Sequence, residues 1–179
     1  MTTDAPFGTY APSPAARAAI SVGRVLPRGG FGLWLAGMVR GTAMSGLFED
    51  TADVEALGLK FRLRPRANLS ERRLYVTPHL LDPEELDLVR GAMGPGKVFL
   101  DVGANAGVYA LVAAAAGGPE ARVLAVEPQS ALCARLAYNA SINGLSNIDI
   151  AQVALSNHEG EARFQIDPRN AGRSRLGEE

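Results

Sequence analysis

The sequence has little of several features that would place a protein in a class at once. Its 179 residues include a single cysteine, Cys133, which excludes an internal disulfide framework and favours a reducing, cytoplasmic compartment. No apolar run reaches the roughly 18 residues of a membrane span, and the first residues lack the basic stretch that opens a signal peptide. A net charge of −1 favours no nucleic-acid partner. The chain is otherwise long enough for one domain with a buried core.

The most informative segment is VFLDVGANAG, residues 98–107. An apolar run ends in Asp101, glycines and small residues follow, and an alanine-rich stretch that we expect to be helical comes next. Open α/β sheets build nucleotide sites from this order of strand, tight loop and helix start. Glycine suits such a loop because it has no Cβ, so the backbone turns sharply and approaches a ligand closely.

The charge around this loop indicates which nucleotide it suits. The dinucleotide fingerprint G-x-G-x-x-G is missing, since Asn105 occupies its second glycine position. A carboxylate at Asp101 would repel phosphate and suits the ammonium or sulfonium charge of S-adenosylmethionine. A second apolar run ends in Glu127, where a carboxylate can accept both ribose hydroxyls. The plainer alternatives are a loop-capping carboxylate at Asp101 and a residue that caps the helix after Pro128 at Glu127.

These motifs extend into a wider pattern, which resembles the FkbM family of methyltransferases over roughly residues 55–175. The pattern comprises DVGANAGVYA at 101–110, VEPQ at 126–129, Leu136, Asn139 and Asn143 in the next helix, and Ala154-Leu155-Ser156. The resemblance implies a Rossmann-like, S-adenosylmethionine-dependent enzyme that methylates hydroxyl oxygens of sugars, polyketides or similar metabolites. It also implies two parts, an N-terminal leader with a helical extension at 1–54 and an FkbM-type domain at 55–179.

We expect the cofactor site to be formed by eight residues. Asp101 holds the methionine ammonium or orders its loop, Glu127 binds ribose, and the others line the methionine moiety, shape the loop or border the adenine. These others are Gly103, Ala104, Asn105, Gly107, Ala154 and Leu155. No metal site is predicted and no catalytic base can be named, since His79 and His158 are only weak candidates.

The expected fold is α/β, with a Rossmann-like class I methyltransferase sheet of which the first three parallel strands are present. Strands are predicted at 98–102, 122–126 and 148–153, and helices at about 106–116 and 128–143. Strands that alternate with helices imply right-handed crossovers in a parallel sheet. A turn and a short strand at 162–166 follow.

The N-terminal extension is expected to contain a disordered leader, two helices and a β-hairpin. The leader covers residues 1–13, and the helices cover about 15–25 and 31–44. The helices either pack on the catalytic domain, form a lid on the substrate side or form a basic amphipathic membrane anchor.

The hairpin is predicted from alternating apolar and basic residues at 59–64, a turn at 65–68 and a returning strand at 73–76. Its basic residues form a solvated face or, as the alternative, bind nucleic acid. A further helix, which Asp82 caps, is expected to run to about Met93 and to bury Leu86, Val89 and Met93.

The sequence departs from the family after residue 166, because no apolar strand leading to K-x-D-x-E-G follows. We therefore expect a truncated domain that lacks its C-terminal half and is poorly stable or inactive alone. Two alternative functions stay open: an NAD-type Rossmann oxidoreductase, whose glycine loop the chain lacks, and a noncatalytic cofactor-binding fragment.

Overall fold

The computed structural model describes residues 5–45, 47–48, 50–157, 160, 164–165 and 175–176. The chain divides into two compact units, a first unit within Asp4–Pro83 and a second unit within Glu84–Glu179. None of the helices in the described ranges is long and apolar enough to cross a membrane.

The first unit contains helices α1 to α3 and a two-stranded antiparallel sheet. Its elements are α1 (Pro14–Gly23), α2 (Gly30–Met44), β1 (Ala52–Ala56), β2 (Leu59–Leu63), α3 (Leu69–Val76) and a 3-10 turn (Pro78–Leu80). α1 begins where the Ser13 side chain accepts a hydrogen bond from the Ala16 amide, with Pro14 at the first helical position. The two helices expected near 15–25 and 31–44 are therefore confirmed.

The predicted hairpin is present, but its pairing was wrong. β2 pairs with β1 across a turn in which Leu57 and Gly58 both have positive φ. Residues 73–76, the predicted returning strand, lie instead in α3. The physical reason is Asn68, whose side chain accepts hydrogen bonds from the Ser70 and Glu71 amides and so starts a helix.

A buried ion pair organises the start of this unit and corrects two further expectations. Arg62 and Asp53 are almost fully buried, and Arg62 Nε donates to Asp53 Oδ1 at 2.8 Å. Asp53 also accepts the amides of Gly8 and Tyr10, and Arg62 donates to the Ala5 carbonyl. Residues 5–10 are thus tied to the sheet and not a disordered leader, and the basic face of the hairpin is not wholly solvated.

The second unit contains a three-stranded parallel sheet. Helix α4 (Pro83–Ala92) begins at the boundary of the two units. The elements that follow it are β3 (Val98–Val102), α5 (Val108–Gly117), β4 (Arg122–Val126), α6 (Ser130–Ile142), β5 (Ile148–Ala151), β6 (Phe164–Gln165) and β7 (Arg175–Leu176). The order β3–β4–β5 is parallel, and β6 pairs with β7 antiparallel. The predicted α/β fold with its first three parallel strands is confirmed.

Several helices and strands begin or end at other residues than predicted, each for a local reason. β5 ends at Ala151, because Val153 N donates back to the Ala151 carbonyl and turns the chain. α5 begins at Val108 instead of 106, since the loop before it continues to Gly107. α4 buries Leu86, whereas Val89 and Met93 are half-buried. His158 and Glu159 of the predicted turn, and residues 162, 163 and 166 of the predicted strand, lie outside the described residues.

The parallel sheet has one covered and one open face. Val123 and Ala125 of β4 are fully buried, as is Leu136 of α6. By contrast, the alternate residues of β3, namely Val98, Leu100 and Val102, are more than half exposed. This alternation follows from the period of two in a strand, and it directs the core of the unit toward α5 and α6.

Candidate functional site

The loop of residues 103–107 joins β3 to α5 at the carboxyl edge of the parallel sheet. Three of its residues have positive φ: Gly103 (79°), Asn105 (54°) and Gly107 (90°). The amides of Gly103 and Ala104 both donate to the Val126 carbonyl, at 2.8 and 3.0 Å. These bonds hold the loop against the last residue of β4, which is where open α/β sheets bind ligands.

Glu127 ties this loop to the start of α6. Its side chain is buried, Oε2 accepts the Asn105 amide at 3.0 Å, and Oε1 accepts the Gln129 amide at 2.9 Å. A carboxylate oxygen has two lone pairs, so each oxygen retains one acceptor site after these bonds. Glu127 therefore orders both the loop at Asn105 and the backbone before α6, and it keeps capacity for further donors.

Asp101 lies at the end of β3 and contacts the first turn of α5. Its Oδ2 accepts the amide of Ala110, the third residue of α5, at 3.0 Å. This amide is one of the N–H groups that a helix leaves without an internal partner, and the helix dipole adds to its attraction for a carboxylate. Asp101 thus caps α5 from the neighbouring strand.

The pKa of Asp101 is perturbed by its surroundings. Burial raises the pKa of Asp101 to about 6, the Ala110 hydrogen bond opposes this shift, and the negative charge of Glu127 adds to it. In the described part of the chain, no arginine or lysine forms an ion pair with either residue. The site is consequently electronegative and has no counterion among the described residues, so a cationic group would stabilise it.

Two glycines of the loop serve different purposes. A Cβ placed on Gly107 would lie 2.7 Å from both Leu111 Cδ1 and Leu136 Cγ, so this glycine allows α5 and α6 to approach each other. A Cβ on Gly103 would meet nothing within 4 Å. Gly103 is therefore required only for its positive φ, and the space beside it is open to an approaching ligand.

The remaining predicted residues are placed as follows. Ala104 is buried in the loop, whereas Ala154 and Leu155 follow β5 and are exposed. His79 belongs to the first unit, where its Nε2 lies 2.8 Å from the Leu26 carbonyl oxygen. The structure thus brings Asp101, Glu127 and the 103–107 loop together.

Sequence reasoning missed several supporting contacts. Cys133 Sγ donates to the Glu127 carbonyl at 3.0 Å, and Asn139 Nδ2 donates to the Ala106 carbonyl at 3.1 Å. Burial, followed by the charge of Glu127, raises the pKa of the Cys133 thiol, which keeps it protonated as a donor. Asn139 was noted only as a motif position; its bond to the loop backbone explains why an amide is useful there.

Comparisons with known proteins find a methyltransferase family model that matches this part of the chain. The model of the methyltransferase FkbM domain matches residues 101–178, beginning at Asp101 itself. The resemblance that the sequence motifs indicated over roughly residues 55–175 is thereby confirmed from residue 101 onward, and residues 55–100 lie outside the match. Among curated proteins, none matches this chain.

Solved structures show a related fold. TYW2 from P. horikoshii in complex with MeSAdo has a TM-score of 0.51 at 18% identity, covering 64% of this chain and 40% of that one. A SAM-dependent methyltransferase from Agrobacterium tumefaciens has a TM-score of 0.46 at 24% identity, covering 60% of this chain and 34% of that one. TYW2 from M. jannaschii in complex with AdoMet has a TM-score of 0.45 at 19% identity, covering 56% and 42%. The chain therefore spans well under half the length of these structures.

Proposed function

From the FkbM methyltransferase family match over residues 101–178, we propose that this protein is an S-adenosylmethionine-dependent methyltransferase. The observation that carries the proposal is the pair Asp101 and Glu127. They stand at the carboxyl ends of adjacent parallel strands, they flank a loop with positive φ, and no basic side chain of the described residues is paired with them. A pyrophosphate would be repelled here, whereas an ammonium or sulfonium group would be attracted.

The chemistry of the donors and acceptors fits the groups of this cofactor. We assign the methionine ammonium to Asp101, whose carboxylate accepts one backbone hydrogen bond and has no counterion within the described part of the chain. The ribose hydroxyls are assigned to the acceptor sites that Glu127 keeps beyond its bonds to Asn105 and Gln129.

The loop supplies the rest of the proposed cofactor site. The backbone of Gly103, Ala104 and Asn105 would line the methionine moiety, with the open side of Gly103 facing it. Gly107 would set the shape of the loop. Ala154 and Leu155 would border the adenine, because an exposed apolar side chain after the third strand gains stability when a flat ring covers it.

The proposed reaction transfers a methyl group to a hydroxyl oxygen. S-adenosylmethionine supplies a methyl group on positively charged sulfur; the acceptor oxygen forms the new bond to carbon while the bond to sulfur breaks, and the hydroxyl proton passes to a base. The residues described here would contribute by positioning, which alone supplies much of the acceleration in such reactions. The acceptor class of sugar, polyketide or similar hydroxyls is supported by the FkbM resemblance.

We also propose a cytoplasmic location, which the single free cysteine supports.

Isothermal titration of the full chain with S-adenosylmethionine, its demethylated product and NAD tests the cofactor assignment. We expect both sulfur nucleotides to bind and NAD not to bind. Asp101→Asn should weaken binding of S-adenosylmethionine by about 10- to 100-fold, as expected for loss of a charge-assisted hydrogen bond. Asp149→Asn is the matched control, because Asp149 lies in the same sheet but is exposed and paired with Arg122 at 3.6 Å. NAD binding as tight as that of S-adenosylmethionine would contradict the proposal.

The acceptor class needs a separate experiment. Incubation with S-adenosylmethionine carrying a labelled methyl group and a panel of hydroxylated sugars and polyketides should label oxygen atoms. Such labelling would also overturn the expectation, drawn from the sequence, that the chain is inactive alone. Labelling of amines or nucleic acid alone would contradict the acceptor class and leave the cofactor assignment standing.

A further inference from the structure

A cavity of about 240 Å³ lies between helix α1 and strand β1 of the first unit. It is lined by Arg17 and Ser21 of α1 and by Arg24, which follows the last residue of the helix. Their i, i+4, i+7 spacing places these three side chains on a single face of α1. Residues 53–55 of β1 line the same cavity. A polar helix face and a strand therefore border one shared space.

The arginines of this helix face have no counterion among the described residues. Neither Arg17 nor Arg24 forms an ion pair there. Arg24 donates from Nη2 to the Glu55 carbonyl, which fixes the guanidinium beside β1 and leaves its other N–H groups as donors. Both guanidiniums are thus available to an anionic group in the cavity.

The two carboxylates that line the cavity offset little of this positive charge. Asp53 is already paired with the buried Arg62 at 2.8 Å. Glu55 stands directly opposite Lys60 in the register of the hairpin. When these two basic residues are counted, the charge at the cavity is positive, and an anionic ligand complements it.

Strand β1 has an outer edge that is only partly paired. The hairpin register makes its even-numbered residues bond to β2, so the N–H and C=O groups of Asp53 and Glu55 point away from β2. The Asp53 N–H donates to the Tyr10 carbonyl at 2.9 Å, and the Glu55 carbonyl accepts from Arg24. Between these two bonds, the Asp53 carbonyl and the Glu55 N–H have no hydrogen-bond partner in the part of the chain that the structure describes.

Pro12 explains why the chain leaves these two groups open. It lines the cavity two residues after Tyr10, but it has no N–H and cannot donate to the Asp53 carbonyl. In a parallel ladder, one residue donates to a carbonyl of the neighbouring strand and accepts from the N–H two residues later. The Asp53 carbonyl and the Glu55 N–H have this spacing, so one residue of an added parallel strand would satisfy both.

We propose that the cavity binds an extended acidic peptide, which adds a short strand to the outer edge of β1. One peptide residue pairs with the Asp53 carbonyl and the Glu55 N–H. Carboxylates of the peptide contact Arg17 and Arg24 through charge-assisted hydrogen bonds. A small anion would satisfy the arginines and leave the strand edge unpaired, whereas a neutral peptide would do the reverse. An acidic peptide satisfies both, and this site is separate from the proposed cofactor site in the second unit.

Fluorescence anisotropy with the full chain and a labelled peptide tests this proposal. The peptide has five residues in which glutamate alternates with valine, and both of its ends are blocked. We expect saturable binding that weakens as salt is raised. Replacing the glutamates by glutamines should weaken binding by about tenfold or more. Methylating the backbone nitrogens, which keeps the charges but removes the donors, should weaken it by about tenfold.

Variants of the protein test the same two contributions. Arg17→Gln and Arg24→Gln should each weaken binding by about tenfold. Glu55→Pro removes the outward N–H at an edge position that tolerates proline, and it should also weaken binding by about tenfold. Glu55→Ala keeps that N–H and removes a negative charge, so it should bind at least as tightly as the wild type. Arg28→Gln, at an exposed position outside the cavity lining, should leave binding nearly unchanged.

Emission of Trp34, the only tryptophan of the chain, checks that each variant is folded. Equal binding of the glutamine peptide, or binding that both arginine variants leave unchanged, would overturn the role of the arginines. Equal binding of the methylated peptide would exclude strand addition and reduce the cavity to a site for soluble anions. No saturable binding of the acidic peptide would overturn the proposal as a whole.

Discussion

Replacing Asp101 by asparagine should stabilise the protein at neutral pH. Burial, aided by Glu127, raises the pKa of Asp101 from 3.8 to about 6. A carboxyl group with a raised folded-state pKa contributes most stability below its unfolded pKa, and this contribution is lost as pH rises through the folded pKa. Asparagine resembles the protonated form at every pH, and its amide oxygen still accepts the Ala110 hydrogen bond.

The magnitude follows from the same pKa. The gap between 3.8 and about 6 corresponds to about 3 kcal/mol at neutral pH if it is realised in full. Asp101 is only partly buried, and the neutral variant loses the charge-assisted part of the bond to Ala110. We therefore expect Asp101→Asn to gain about 1–2 kcal/mol in free energy of unfolding at pH 7.

Urea unfolding followed by far-ultraviolet circular dichroism between pH 7.5 and pH 4 measures this difference. The advantage of the variant should shrink as pH falls from about 6 and nearly vanish near pH 4, where wild-type Asp101 is protonated in the folded state. Asp149→Asn, at an exposed position, should show no such trend. A variant less stable than the wild type at pH 7, or a difference that does not change with pH, would refute the reasoning.

Three further substitutions test other parts of the structure. Glu127→Gln should destabilise the second unit by about 1–3 kcal/mol in urea unfolding, because an amide NH2 would face a backbone donor. Gly107→Ala should cost about 3 kcal/mol through close contacts and positive φ, whereas Gly103→Ala, with open space around it, should cost about 1–2 kcal/mol in the same assay. Asp53→Ala should cost the first unit about 3–5 kcal/mol, read from Trp34 fluorescence, because it leaves a buried arginine unpaired.

Each of these has a control and a contradicting result. Asp149→Asn is the exposed control for the Glu127 and Asp53 changes. Glu127→Gln as stable as the wild type would remove the role of Glu127 in ordering the loop. Equal costs at the two glycines would contradict the packing assigned to Gly107. Loss of less than about 1 kcal/mol at Asp53 would mean that the ion pair does not organise the first unit.

The parallel sheet was predictable because its signals are local. β3 and β4 are short apolar runs bounded by turn residues and carboxylates, and their bounds were predicted correctly. The hairpin partner was not predictable in the same way. The alternation in β2 identifies a strand, but only the Asn68 cap and the short turn at 57–58 decide that the strand before it, and not the segment after it, provides the partner.

The placement of Asp101 and Glu127 at neighbouring strands was predictable, but their contacts were not. The spacing of Asp101 and Glu127 placed both at the ends of neighbouring strands, as the structure has them. Their donors, the amides of Ala110 and Asn105, are backbone groups that carry no sequence signature. The buried Arg62 was interpreted as part of a solvated face because nothing in the local pattern reveals that Asp53 and residues 5–10 close over it.

The most direct test of the central claim is the proton balance of cofactor binding. Titration of the full chain with S-adenosylmethionine near pH 6, in two buffers of different ionisation enthalpy, gives the number of protons released. If the ammonium pairs with Asp101, which is about half protonated at that pH, about half a proton should be released, and Asp101→Asn should release none. Binding without proton release, or the same release from both proteins, would contradict the assignment of Asp101 to the cofactor.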